Sequence, residues 1–226
     1  MYSIQIGSLV LNGPLLLYLS FGAAGWLMLR FGLRHMPERG LILSCAANAF
    51  WLWLMIWKGS FLILHPVEAI QRPASLLYFD GGERGRWLAS LAAAVYVWRR
   101  ASKQSLHPSR WINSLVLYFL AGWLVYHLLL FAFGEETHWI HAASAGLTAS
   151  LLMSLLLSPK GVEARQGRGH ALWFLIGHAV LWFLIPERPI WFLSFSKQQI
   201  IFLLAAAGLI GWIWFDERMH KGGTHG

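Results

Sequence analysis

Apolar residues in this chain come in runs of bilayer-crossing length, and that constrains the fold more than any other feature. A helix needs roughly 20 predominantly apolar residues to cross a hydrocarbon core about 30 Å thick. Seven stretches meet or approach that length, at about 9–33, 41–64, 85–98, 111–133, 138–157, 171–186 and 196–215. The third is the shortest, because the run from Trp87 to Trp98 needs Gly85 and the residues before it to complete a crossing. Composition agrees: 57% of residues are hydrophobic and 12% charged, against roughly 45–50% and 25% in a soluble domain. The 14 Trp and 14 Phe belong to the residue types that gather at membrane interfaces. The expected fold is therefore all-α, an integral membrane protein of about seven transmembrane helices forming a single polytopic domain over residues 1–226. The first run is read as a span and not a cleavable signal peptide, since it lacks a basic leading region and continues past Arg30 without a small-residue cleavage site.

Orientation follows from the basic residues, which are retained on the cytoplasmic side near span ends. With the N-terminus outside, twelve Lys and Arg fall inside and six (Lys58, Arg72, Arg84, Arg86, Arg188 and Lys197) fall outside. Four acids lie inside and six outside, so the inner side carries the whole net charge of +8 and the outer side balances. The expected topology is N-out and C-in. A net positive charge spread over short loops in this way points to topology, and no nucleic-acid partner is expected. The lone Cys45 sits inside an apolar run, which excludes an intramolecular disulfide, a CxxC redox pair and a cysteine zinc site.

The cytoplasmic connections 34–40, 99–110 and 158–170 are basic and rich in Pro, Ser or Gly, as solvated loops are. The outer segment from His65 to Arg86 differs. Its sequence HPVEAIQRPASLLYFDGGERGR combines Val67, Ile70, Leu76 and Leu77 with two prolines and a DGG turn. That pattern predicts a short interfacial helix along the membrane surface between spans two and three.

Charged and titratable residues at membrane depth are costly, so each is a default site hypothesis. Lys58 after FWLWLMIW either binds an anionic head group or snorkels to the interface. His127 in LVYHLLLF and His178 in LIGHAVLW are either functional or buried neutral imidazoles bonded to one neighbouring carbonyl. The segment GEETH with His141 places His138 and His141 three residues apart on a helix start, a spacing that suits a metal pair; the competing reading is a helix start capped by Glu136 or Thr137. That second reading is the stronger, and no metal or cofactor is expected. Arg72, Arg84, Arg86 and Arg188 present planar forks suited to phosphate, or anchor the interface beside Asp80, Glu83 and Glu187. No HExxH, P-loop or GxSxG is present, which leaves metalloprotease, nucleotide-hydrolase and serine-hydrolase readings without support. A small transporter lacks the paired half-repeats with broken helices that such folds carry.

Five segments in order resemble the bacterial prolipoprotein diacylglyceryl transferase family, a seven-span inner-membrane fold. They are IQIGSLVLNGPLLLYLSFGAAGWLM at the start, RPASLLYFDGGERGRWLASLAAAVYVWRR with its aromatic-DGG turn, LFAFGEETH closing span four, GRGHALWFLIGHAVLWFLIPERP, and FLSFSKQQIIFLLAAAGLIGWIW, which opens with a serine and a glutamine. The resemblance covers nearly the whole chain through order and spacing, while each motif alone is weakly specific. It implies a bacterial cytoplasmic (inner) membrane location and transfer of a diacylglyceryl group from phosphatidylglycerol to a lipoprotein cysteine. The partners it implies are an anionic phospholipid and a lipoprotein precursor.

Departures from the family are specific. The catalytic histidine position after DGG is Arg86, the family arginine eight residues before Glu135 is His127, and the inward arginine and glutamate of span six fall near Leu181 and Ile185, leaving Glu187 and Arg188 at its end. A guanidinium is always protonated and does not act as a base, whereas an imidazole does. The resemblance thus implies His127 and Glu135 as the catalytic pair, with Lys58, Asp80, Gly81, Gly82, Arg86, Glu187 and Arg188 for lipid binding. The expected function is a divergent diacylglyceryl transferase-like protein that either transfers or retains only the lipid-binding part. The alternative is a non-catalytic scaffold or partner of another envelope protein.

Overall fold

The structure is a computed structural model that describes residues 3–6, 9–64, 66–71, 81–104, 108–134, 138–157, 166–185 and 189–222. Among these residues the fold is helical, with seven long helices, one short helix and one small hairpin. The long helices are α1 (Gly13–Gly32), α2 (Arg39–Leu64), α4 (Gly82–Ser102), α5 (Pro108–Phe133), α6 (His138–Leu157), α7 (Gln166–Phe183) and α8 (Lys197–Gly222), and α3 is the single-turn-and-a-half Pro66–Gln71. Five of them are long and apolar enough to cross a membrane: Gly13–Gly32, Arg39–Ile63, Ser109–Phe133, Trp139–Leu157 and Lys197–Phe215. Large apolar side chains such as Met55, Leu91, Trp98 and Leu204 point outward, which water would penalise and lipid does not. The protein is a helical membrane protein.

The start of the chain corrects the expected first span. Residues 9–12 are extended and not helical: β1 (Ser3–Ile6) pairs antiparallel with β2 (Leu9–Asn12), with Ser3 opposite Asn12 and Ile6 opposite Leu9. Asn12 then caps α1, its Oδ1 accepting from the Leu15 amide at 3.3 Å, and Pro14 sits where a first-turn proline loses no hydrogen bond. The helix that follows is 20 residues, the length a crossing needs. Of the segment 65–86, residues 66–71 form α3 and residues 81–86 form the turn into α4 and its start, while residues 72–80, Asp80 among them, lie outside the described residues.

Two compact units make up the chain, Met1–Trp111 and Ile112–Gly226. In the first, α2 and α4 are the closest pair. Gly81, Gly85 and Ala89 recur every four residues, all buried, and face Trp57 and Ser60 of α2. Small residues at this spacing let helix backbones approach closely where lipid provides no hydrophobic drive for association. The pairing is antiparallel along its length: Trp53 Nε1 donates to Ser90 Oγ at 3.0 Å, and Asn48 Nδ2 donates to Tyr96 Oη at 3.4 Å one and a half turns further. At the opposite end from Ser60, Arg110 at the start of α5 pairs with Glu38 before α2.

Polar links between helices hold the second unit. The Gly167 amide donates to Asn113 Oδ1 at 3.1 Å, both buried, joining α7 to α5. His170 Nε2 lies 3.2 Å from Ser154 Oγ and Gly177 faces Leu147, which sets α7 antiparallel to α6. Ser196 and Gln199 form a reciprocal cap on α8: the Ser196 amide donates to Gln199 Oε1 at 2.8 Å and the Gln199 amide donates to Ser196 Oγ at 3.3 Å. Gln199 Nε2 also donates to the Ala179 carbonyl, tying α8 to α7. Between them, Trp191, Phe192 and Phe195 close a tight turn whose central residues Leu193 and Ser194 have φ of 45° and 77°.

Candidate functional site

In the first unit, the residues of interest gather at the end shared by the start of α1, the end of α2 and the start of α4. Gly82 has φ +59°, a left-handed conformation that costs glycine nothing and a branched residue much. This turn delivers the Gly81 amide to the Trp57 carbonyl at 3.2 Å, and the same carbonyl accepts from Ser60 Oγ at 2.8 Å. A Cβ on either Gly81 or Gly85 would run into Ser60 Oγ, so both glycines are required for the approach. The turn therefore fixes where Arg86, one helical turn later, emerges.

Arg86 Nη1 donates to Tyr18 Oη at 3.0 Å. The Tyr18 ring meets Trp53 and Trp57 edge-on, each with centroids 5.0 Å apart, and the two tryptophans stack at 5.4 Å. Lys58 Nζ lies 5.4 Å from the Trp57 ring centroid, within the range where a cation is attracted to an aromatic face. Four of the residues read from sequence, Lys58, Gly81, Gly82 and Arg86, thus share one aromatic-framed end of this unit. Tyr18, Trp57 and Ser60 are additions that sequence alone did not supply. Nothing local marks Tyr18 in LLLYLSF; its role depends on which helix it meets. Asp80, Glu135, Glu187 and Arg188 lie outside the described residues.

His127 belongs to the second unit, where it is 9% exposed. Of the two readings of His127, the ring is buried as the second has it, but its Nδ1 lies 3.0 Å from Nδ1 of His141, on α6, and not against a carbonyl. Its other nitrogen, Nε2, is buried without a hydrogen-bond partner among the described residues. His141 therefore faces across to α5, and the side chain of His138, its expected metal-site companion, is not among those described. No group of three His, Cys, Asp or Glu among the described residues is arranged to hold a metal ion. His178 on α7 completes the cluster, with Trp123 Nε1 donating to its Nε2 at 2.9 Å and the Phe174 carbonyl 2.9 Å from its Nδ1. Trp123 and His127 are one turn apart on α5, so the i, i+4 spacing was a local signal that the two rings share a face, with centroids 5.1 Å apart.

Comparison with protein-family models, with curated proteins and with solved structures yields no match to this chain. The function is therefore argued from the two sites themselves.

Proposed function

We propose that the chain is a seven-span protein of the bacterial inner membrane, N-out and C-in, that holds an anionic phospholipid such as phosphatidylglycerol at the outer end of its first unit. The observation that carries this reading is the placement of Arg86 and Lys58 on the Tyr18–Trp53–Trp57 frame beside the Gly81–Gly82 turn. Arg86 has five N–H donors in a planar fork that matches phosphate oxygens. Tyr18 orients that fork at one corner, so less side-chain entropy is lost when a phosphate docks. Trp87, Leu88 and Leu91, exposed along the same helix, give acyl chains an apolar track below the head group. Topology supports the placement. Neighbouring helices alternate in direction within each unit, as successive crossings do, and Arg110 with Glu38 lies at the end of the first unit away from Arg86, where N-out topology puts the cytoplasm. In this reading α4 and α7 complete the seven crossings despite their polar ends.

A second reading is favoured by one observation, the buried Nε2 of His127, which has no hydrogen-bond partner among the described residues. Diacylglyceryl transfer to a lipobox cysteine needs a base for the incoming thiol, and a neutral imidazole with an available nitrogen is suited to that role. The thiol would come from the lipoprotein, because Cys45 is 2% exposed within α2. The lipid binder alone serves as a scaffold for another envelope protein; the transferase reading adds thiol activation at His127. Purified protein in lipid, given labelled phosphatidylglycerol and a lipobox peptide, separates them. Label on the peptide supports transfer. Phosphatidylglycerol retained with no label transferred, where an active diacylglyceryl transferase works, leaves the scaffold.

A further inference from the structure

Two tight turns between consecutive long helices, one in each unit, have opposite polarity. In the turn from α1 to α2, Arg34, His35 and Pro37 are exposed while Leu33 and Met36 are buried. That is the pattern water imposes on a connection. In the turn from α7 to α8 it is inverted: Ile190, Trp191, Phe192 and Leu193 are 60–75% exposed in succession, while Ser196 and Gln199 beside them are buried. Four large apolar side chains in a row are far too few to cross a bilayer, so the length of a span does not account for them.

The backbone holds this patch outward. Phe192 and Phe195 bracket a two-residue turn in which Leu193 and Ser194 have positive φ, a conformation that such residues keep only where their surroundings enforce it. Leu193 stands at the tip, and the protein itself covers little of its side chain. The stem is fixed. Phe183 meets Phe195 edge-on with centroids 5.5 Å apart, and the reciprocal cap of Ser196 and Gln199 ties the chain to α8. The Trp191 and Phe192 amides both donate to the Phe195 carbonyl, at 2.8 and 3.2 Å, and the Phe195 amide donates to the Phe192 carbonyl at 2.8 Å. These three donors need no water, which lowers the cost of taking the turn out of it.

Depth and continuity identify what covers the patch. The crossing of α8 starts at Lys197 and α7 ends at Phe183. The turn between them therefore lies at head-group level, where tryptophan and other amphipathic rings collect. Phe183 and Leu184 at the end of α7, and Leu203 and Leu204 on α8, are exposed as well. Along the chain the patch thus continues the lipid-facing surface of its own two helices.

We propose that residues 190–193 form an interfacial wedge whose side chains enter the boundary between head groups and acyl chains, in the leaflet where α7 ends and α8 begins. Its partner is the lipid surface itself. The wedge belongs to the second unit and stands whether or not the first unit holds phosphatidylglycerol.

Spin labels on the full chain test this in vesicles of phosphatidylglycerol and phosphatidylcholine. Cys45→Ala removes the lone native thiol, and Phe192→Cys, Leu193→Cys, His35→Cys and Leu204→Cys each introduce one label site. His35, in the α1–α2 turn, serves as the water reference, and Leu204, exposed on the apolar part of α8, as the lipid reference. Depth is read from collisions with oxygen, which concentrates among acyl chains, and with a nickel chelate, which stays in water. The wedge predicts an oxygen-to-nickel ratio at residues 192 and 193 several-fold above that at residue 35 and close to that at residue 204, as for side chains buried in the acyl boundary. A ratio equal to that at residue 35 places the turn in water and overturns the proposal. Labels shielded from both reagents mean that protein covers the patch, a second copy or another chain, and overturn it as well. If one of the two label sites prevents folding, the other decides.

Discussion

The two units solve the problem of helix association in lipid by different means. The first brings α2 and α4 together by removing side chains: Gly81, Gly85 and Ala89 clear a path that Ser60 and Trp57 fill. The second adds polar side chains and satisfies them across helices, through Asn113 with Gly167, Trp123 with His178, and Gln199 with Ala179. Close backbone contact tolerates no added atom, so the first unit is brittle toward enlargement. Hydrogen bonds between membrane helices are worth only about 0.6–2 kcal/mol each, so the second unit should degrade in small steps. The difference extends to the sites: the first presents cations on an aromatic frame, the second packs three histidines around Trp123.

The strongest challenge to this contrast is Gly85→Val. The added Cβ meets Ser60 Oγ and the Trp57 carbonyl, and overpacking of this kind costs on the order of 3 kcal/mol. We expect loss of most folded protein in size-exclusion profiles from detergent extracts. Gly85→Ala should be milder and partly rescued by Ser60→Gly, which removes the opposing hydroxyl. Failure of Ser60→Gly to help would mean that Gly85 matters for some reason other than this contact.

Trp123→Phe probes the second unit in the same assay. It leaves His178 Nε2 without its donor, at an expected cost of about 1–2 kcal/mol, read as a lower melting temperature with folded protein retained. A collapse comparable to Gly85→Val would erase the distinction between the units. The turn between α7 and α8 sharpens it from the other side. Leu193 and Ser194 both hold positive φ, a conformation that favours asparagine followed by glycine in a two-residue hairpin. The double change Leu193→Asn with Ser194→Gly should stabilise by about 1–2 kcal/mol. The smallest effect is expected at Gly146, where an added Cβ meets nothing within 4 Å; Gly146→Ala should shift stability by less than about 1 kcal/mol, toward greater stability.

Much of the helical plan was legible because bilayer thickness fixes the length of apolar runs. The boundaries at α2, α5 and α6 fall within three residues of the apolar limits. The N-terminal hairpin was not read, although its signal is present: SIQI and LVLN are separated by Gly7 and Ser8, a two-residue link of hairpin type. Apolarity at Leu9, Val10 and Leu11 drew those residues into the span instead. The site in the first unit was half legible. Glycines and cations announce themselves, but Tyr18 and Ser60 acquire roles only through packing 68 and about 25 residues away in the chain. His141 was placed with its neighbour His138 because sequence shows only local spacing. Its partner, His127, is 14 residues away on the preceding helix.

The claim that an anionic phospholipid docks at Arg86 is tested most directly by competitive lipid retention. Wild-type protein and Arg86→Ala, each folded and purified from mixed phosphatidylglycerol and phosphatidylcholine, are compared by native mass spectrometry. The lost contact is a charge-assisted hydrogen bond worth about 1.5–3 kcal/mol. The account predicts that the wild type retains phosphatidylglycerol in preference and that Arg86→Ala loses that preference by about tenfold or more, while phosphatidylcholine retention is unchanged. Equal loss of both lipids, or an undiminished preference in Arg86→Ala, would contradict it.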